Sequence, residues 1–378
     1  MATAAGNFRK ESVFGQGLDR LGAACRIFVR MSFPTRVTLM DVARAAGVSR
    51  STAARVLGGY GNVAADLRRS VLAAAAALGY RSNTLARSVS SGRSHTLGVV
   101  VSDIENPYFA RAVRGISDVA RKAEFDVILA NTDEKIDAER AAVEVFLNKR
   151  VDGLIVAPSS GTESEHLRAV QTMARPLVLL DRSLPDLDCD WVGTDSYRAA
   201  VDVLSYLAKR GHQRIAFVTA TSRSAMEIET GRRRPLSTIA DRSRGIRDAS
   251  TEHGVSYQLL PGAMSWQRTL EIVAAALSQP QRPTALIASS SGIALATFHT
   301  LRDAGLRIPD DVALVSLDDA QWMDVSAPRI TAVTQPTYDL GTRAAEILIA
   351  RIAGDGPAET NHILPVTFTE RASVAVRR

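Results

Sequence analysis

Arg50, Ser51 and Arg55 are the residues whose types and spacing point most directly to chemistry. On a helix they share one face, opposite Ala53, Val56 and Leu57. An arginine donates two parallel hydrogen bonds that match O6 and N7 of guanine, and the N-terminal part of a helix laid in the major groove reaches base edges. Around these three, residues 31–94 carry nine arginines against only Asp41 and Asp66, a net charge of +7, whereas residues 1–30 carry +3 and the rest of the chain −4. The positive excess sits in the first quarter of the sequence, as expected for a polyanion partner or for a solvated basic surface.

A second set of chemistry-bearing residues follows short apolar runs. Asp103, Tyr108 and Phe109 come after 96–101, Asp181 after 176–180, Ser290 after 285–288 and Asp318 after 312–317, with Arg242 and Gln335 further candidates. Carboxylates suit paired hydroxyls, arginine suits a hydroxyl, carboxylate or phosphate, and an aromatic ring stacks on a sugar or base. Asn106-Pro-Tyr-Phe109 is equally readable as a helix start with buried aromatics. Catalysis is not expected. Gly59-Tyr-Gly61-Asn-Val-Ala64 follows a helix where a dinucleotide loop follows a strand, and Walker, G-x-S-x-G and H-E-x-x-H patterns are missing from the sequence. The six histidines are scattered and are expected at the surface or in caps. No metal or cofactor is expected.

The elements that must position these groups change in kind near Ser94. Before it the period is helical. Thr38-Leu-Met-Asp41 has the form of a capping box, Gly47 closes a first helix, and Ser49 caps a second, so the unit is helix, glycine turn, helix. After Ser94, apolar runs over 96–101, 125–130, 153–157, 176–180, 214–218, 285–288 and 312–317 alternate with helical stretches, among them 108–124, 196–210, 240–253 and 337–353. That alternation predicts two doubly wound parallel sheets, each covered on both faces. The stretch 221–239, with Arg232-Arg233-Arg234, has neither period and is expected to be an exposed loop, solvated or in contact with DNA or another protein.

The 378 residues are 46% apolar and 23% charged, a globular composition with room for two or three cores. Cys25 and Cys189 cannot form a disulfide framework or a four-cysteine zinc site, which points to a reducing compartment. No run is long and apolar enough for a membrane span, and no secretory signal is evident, so a cytoplasmic location is expected. Met31 offers a start immediately before the helical unit; residues 1–30 are then either a leader without order or untranslated.

The stretch Val37-Thr-Leu-Met-Asp-Val-Ala-Arg-Ala-Ala-Gly-Val-Ser-Arg-Ser-Thr-Ala-Ala-Arg-Val-Leu57, with Leu78-Gly-Tyr80, Asn83 and Ala86-Arg87, resembles the DNA-binding domain and hinge of the lactose-repressor (LacI/GalR) transcription regulators. The resemblance continues through Asn106-Pro-Tyr-Phe109, Arg150-Val-Asp-Gly-Leu-Ile155, Leu180-Asp-Arg182, Gly211-His-Gln-Arg-Ile215, Ile308-Pro-Asp-Asp-Val312, Asp318-Asp319 and Glu370-Arg-Ala-Ser373. It implies an N-terminal extension over 1–35, an all-α helix-turn-helix DNA-binding domain over 36–81, and a hinge helix or linker over 82–94. An α/β two-lobed periplasmic-binding-protein-like domain over 95–378 follows, with a first lobe of about 95–190 plus a late crossover and a second of about 191–378.

The DNA-contacting set so implied is Thr38, Ser49, Arg50, Ser51, Thr52, Arg55, Asn62, Tyr80, Asn83, Ala86, Arg87 and Val89. The last wedges into a base step where leucine is usual; a plain linker is the alternative for 83–91. Phe109, Asp181, Arg242, Asp318 and Gln335 fall at effector positions, and Asp103, Tyr108 and Ser290 complete that set. Ser290-Ser291 stands where Asn-Asp is common, which predicts an effector poorer in hydroxyls than a free hexose, or anionic. The expected function is a homodimeric or tetrameric repressor of a pseudopalindromic operator, controlled by a sugar or sugar derivative acting as inducer or corepressor. The alternative is a free-standing sugar-binding protein for uptake, which would have no use for 39–57.

Overall fold

The computed structural model describes residues 37–377, apart from 59–60, 81–92, 231–233 and 359. The expected extension, the hinge with Asn83, Ala86, Arg87 and Val89, and Arg232-Arg233 lie outside the described residues. The chain divides into two units near Arg87 and Ser88, treated separately below.

In the first unit, α1 (Leu39–Ala45), α2 (Arg50–Gly58) and α3 (Ala65–Ala77) enclose a small core of Val42, Ala43, Ala53, Val56, Val71 and Ala75. Thr38 caps α1: its backbone N–H donates to Asp41 Oδ2 at 2.9 Å, its hydroxyl donates to the same oxygen at 2.7 Å, and Asp41 N–H reaches back to Thr38 Oγ1. Gly47 makes the turn at φ +67°, a conformation that carries no steric cost for glycine. Ser49 then accepts from Thr52 N–H at 3.1 Å and starts α2.

The second unit has two six-stranded sheets. The first is built from β1 (Thr96–Val101), α4 (Pro107–Lys122), β2 (Asp126–Asn131), α5 (Ile136–Asn148), β3 (Gly153–Val156), α6 (Glu165–Thr172), β4 (Leu177–Leu180) and β5 (Asp190–Thr194). The second contains α7 (Ser196–Lys209), β6 (Arg214–Thr219), α8 (Ala225–Thr230), α9 (Ser237–His253), β7 (Ser256–Pro261), α10 (Trp266–Leu277), β8 (Ala285–Ala288), α11 (Ser291–Asp303), β9 (Ala313–Ser316), α12 (Trp322–Val325) and β10 (Thr331–Thr334). Last come α13 (Thr337–Ala353), β11 (Asn361–Leu364) and β12 (Thr367–Thr369). The sheet orders are β11-β5-β4-β3-β1-β2 and β12-β10-β9-β8-β6-β7. All pairs are parallel except β10 with β12, an antiparallel edge that the alternation of strands and helices does not announce.

Three features differ from expectation. The first lobe does not end near 190, because β5 pairs with β4; late in the chain α13, through Leu340, Ala344, Ala345, Ile347 and Leu348, and β11, paired with β5, return to the same sheet. Two glycines allow that packing, because a Cβ at Gly341 would strike the Ala112 carbonyl and one at Gly115 the Tyr338 carbonyl. Arg351 fastens it, donating from Nε and Nη2 to the two carboxylate oxygens of Asp190 at 2.9 Å each. Second, 221–239 contains α8, opened by a reciprocal cap in which Ser224 N–H donates to Glu227 Oε2 at 2.9 Å and Glu227 N–H to Ser224 Oγ at 3.3 Å; α9 begins at Ser237. Third, His212 and His362 are buried, and His166 sits 2.7 Å from buried Glu139, so these three are not surface residues.

Candidate DNA-reading helix and interlobe effector cleft

On α2, Ala53 and Val56 point into the core while Arg50, Ser51 and Arg55 are exposed. Ser49, Ser51 and Thr52 place three hydroxyls together at the start of the helix, with Ser49 Oγ 2.8 Å from Ser51 Oγ and 2.9 Å from Thr52 Oγ1. Arg55 Nε donates to Ser51 O at 3.4 Å, a weak bond that leaves most of the guanidinium fork to a partner. Arg50, Arg68 and Arg69 have no ion pair among the described residues. Asn62 is exposed in the α2–α3 link. Thr38 is engaged in its cap, and Tyr80 packs half-buried on the small core, its N–H donating to Ala75 O at 2.9 Å. Apart from Arg68 and Arg69, the polar residues named here belong to the expected DNA-contacting set; geometry separates an exposed row at 50, 51 and 55 from Thr38 and Tyr80, already held by the fold.

In the second unit the order of strands reverses between β1 and β3 in one sheet and between β6 and β8 in the other, and a cavity of about 480 Å³ opens beyond the carboxyl ends of these strands. All eight residues expected at the effector site line it: Asp103, Tyr108, Phe109 and Asp181 from the first lobe, and Arg242, Ser290, Asp318 and Gln335 from the second. Both readings of Asn106-Pro-Tyr-Phe109 hold, since Asn106 caps α4 by accepting from Tyr108 N–H at 3.1 Å while the two aromatic side chains are buried at the cavity wall. Ser290 likewise doubles as the cap of α11, accepting from Ile293 N–H at 3.4 Å. Asp195 is different: it caps α7 through Arg198 N–H at 2.8 Å and does not line the cavity.

Asp181 holds φ +67°, a left-handed conformation uncommon outside glycine. It is held there at both ends. Its N–H donates to Val192 O at 2.8 Å, and its carboxylate accepts from the Tyr108 hydroxyl at 2.7 Å. Burial, then the neighbouring Asp181, pushes the Tyr108 phenol well above its usual value, so it stays a donor. Arg182 is locked, with Nη1 and Nη2 donating to Glu134 at 2.7 and 2.6 Å and Nη1 also to Pro158 O at 2.9 Å. Arg242 donates to Ser289 O at 2.9 Å. Gln335 accepts from Thr194 Oγ1 and donates to Leu317 O, both at 3.1 Å.

Asp318 is almost wholly buried, and burial pushes its carboxyl up to about 6 against the pull of Arg242 and the Ser291 N–H. Glu105, Glu134, Trp266, Trp322 and Thr219 also line the cavity and were not singled out from sequence. Thr219 Oγ1 is buried without a hydrogen-bond partner among the described residues. The walls thus carry five carboxylates, on Asp103, Glu105, Glu134, Asp181 and Asp318, against Arg182 and Arg242. Arg182 is already neutralised by Glu134, whereas Arg242 has no ion pair among the described residues.

Residues 38–83 match the bacterial regulatory proteins of the lacI family, and residues 94–372 match the periplasmic binding proteins and sugar binding domain of the LacI family. The chain belongs to the LacI family. Catabolite control protein A of Priestia megaterium is 33% identical over 315 residues, 82% of this chain and 91% of that protein. A LacI-family transcriptional regulator from Enterococcus faecium, solved with bound ribose, is 29% identical with a TM-score of 0.65, covering 75% of this chain and 100% of its own. The lac repressor dimer bound to operator and the anti-inducer ONPF shares the fold, with a TM-score of 0.76 at 24% identity over 90% of this chain and 99% of its own. This LacI-family chain is therefore a DNA-binding transcriptional regulator with an effector domain of the sugar-binding kind. Among the described residues no helix is long and apolar enough to cross a membrane, and no group of side chains is arranged to hold a metal.

Proposed function

We propose that this regulator is a homodimeric repressor, working in the cytoplasm, that reads a pseudopalindromic operator through Arg50, Ser51 and Arg55. Its control ligand is a neutral, hydroxyl-bearing molecule of monosaccharide size. The observation that carries this reading is the cleft itself: about 480 Å³, aromatic at Phe109, Trp266 and Trp322, and rich in carboxylate acceptors. Carboxylates accept from sugar hydroxyls, and they repel a sugar acid or phosphate, for which Arg242 alone would have to compensate. The ribose bound by the Enterococcus faecium relative is consistent with this chemistry.

In the mechanism, effector contacts from both lobes change their relative orientation, and that change alters the affinity of the paired heads for DNA. The test has two arms. Purified protein is used to select DNA from a random pool, and its thermal midpoint is measured with neutral pentoses and hexoses, sugar acids and sugar phosphates. The expected result is an enriched palindrome and a midpoint raised by a neutral sugar. Failure to enrich any palindrome overturns the operator reading, and a rise with sugar acids or phosphates alone overturns the neutral effector.

A further inference from the structure

A second cavity, of about 340 Å³, is bounded by α8, the segment Arg234–Pro235, α9 and β7, the edge strand of the second sheet. Its chemistry is the reverse of the cleft. Arg234, Arg244 and Arg247 line it, no carboxylate is among the lining residues described, and Ile228 and Leu259 make an apolar floor. Each guanidinium pairs with an exposed carboxylate, Arg234 with Asp186 at 3.0 Å, Arg244 with Asp241 at 3.0 Å and Arg247 with Asp248 at 3.3 Å, and Arg244 also lies 4.7 Å from the centre of the Tyr197 ring, a contact that leaves its N–H groups free to donate. All six of these side chains are 42–65% exposed, so the pairs contribute little and yield readily to a stronger anion. Ser243 lies in the same wall, only 9% exposed, and its hydroxyl has no hydrogen-bond partner among the described residues. A buried donor left unmade is costly unless something fills the space beside it.

We propose that this cavity binds a small phosphomonoester. Three guanidinium forks offer more donors than one carboxylate can accept, whereas the three terminal oxygens of a phosphomonoester dianion each accept more than one hydrogen bond and can take both the forks and the Ser243 hydroxyl. The organic part of the ligand rests on Ile228 and Leu259. Arg234 gives the site a consequence. Its bond to Asp186 and that of Ser183 N–H to Ser237 Oγ, at 2.9 Å, join the two lobes. A phosphate that takes Arg234 competes with Asp186 and removes one of those links, so the site senses lobe orientation independently of the cleft.

The experiment titrates phenyl phosphate into the full chain by calorimetry at low salt, beside phenol and inorganic phosphate. Saturable binding, tighter than either half alone, is expected. The double variant Arg244→Gln/Arg247→Gln should weaken it by about tenfold or more. Asp186→Asn, which releases Arg234, should tighten it about threefold, and Arg242→Gln in the cleft should leave it unchanged. Ser243→Val gives a second readout should the arginine variant fail to fold, and is also expected to weaken binding. Absence of saturable binding, retention of full affinity in the arginine double variant or in Ser243→Val, no tightening in Asp186→Asn, or loss in Arg242→Gln each overturns the proposal.

Discussion

Arginine is used in opposite ways in the two units of this chain. In the head, Arg50, Arg68 and Arg69 have no ion pair among the described residues, and Arg44 meets Asp41 only at 3.7 Å with both side chains largely in water. In the body, arginines close structural joints. Arg371 is 8% exposed and grips Asp319 at 2.8 and 3.0 Å, with Asp324 and the Ile330 carbonyl as further acceptors. Arg351 holds α13 to β5, and Arg182 closes on Glu134. A net charge of +6 for the whole chain conceals this division. What separates a recognition arginine from a structural one is whether the fork is withdrawn from water onto a carboxylate of the same chain, as in Arg182, Arg351 and Arg371.

That contrast can be broken by experiment. The largest effect is expected from Arg371→Ala, which strands Asp319 and should cost the body about 3–4 kcal/mol in chemical denaturation; an unchanged midpoint would show that the buried fork is dispensable. Next comes the pH response. Asp318, raised to about 6 by burial, holds its proton in the fold after the unfolded chain has released it. Its stabilising share is therefore full below pH 4 and is lost as pH rises through 6, on the order of 3 kcal/mol. Asp318→Asn should flatten the body's profile in that window. Asp41 in the head runs the other way, since the hydrogen bonds from Thr38 hold its carboxyl below the usual value and its contribution is lost as pH falls. Finding one common sign in the two units would contradict the assignment.

A smaller effect is expected for Arg55→Ala, about 1–3 kcal/mol of discrimination at one base pair with the body's stability untouched. Equal losses on operator and random DNA would make Arg55 a phosphate contact instead. The smallest is Ser49→Ala, which removes the cap of α2 and should lower the head's stability by about 1 kcal/mol. Circular dichroism melts of the head would detect it, and no change would mean that Ser51 or Thr52 replaces the cap.

Much of the cleft was legible because its residues follow strands with unmistakable apolar runs: Asp103 after β1, Asp181 after β4, Asp318 after β9. Of the lining residues that the apolar runs do not mark, Thr219 is the last residue of β6, and Glu105 and Trp322 lie four and six residues beyond β1 and β9, past the position directly after the strand. Trp266 comes after β7, whose Ser256-Tyr-Gln-Leu-Leu-Pro261 has no clean alternation and sits at a sheet edge. The sequence does not mark β5 as part of the first lobe, because Asp190-Trp-Val-Gly-Thr194 offers only two large apolar side chains and its charged residue is neutralised by Arg351 from far along the chain. In contrast, α8 was announced by Ser224-Ala-Met-Glu227, a capping box overlooked beside the basic run that follows. Side-chain pairing over long sequence distances was invisible in principle, and with it the acidic balance of the cleft.

The interlacing of the two sheets has a consequence for how the chain is made. The backbone passes from one lobe to the other at 194–196, at 334–337 and again at 364–367, so the first sheet receives its cover helix and edge strand only from the last fifth of the sequence. A chain emerging from the ribosome past Leu180 holds four of the six strands of that sheet but leaves one face without Leu340, Ala344 and Leu348. Neither lobe can finish before the other during synthesis, whereas the three-helix head, complete by residue 80, has its own core from the beginning.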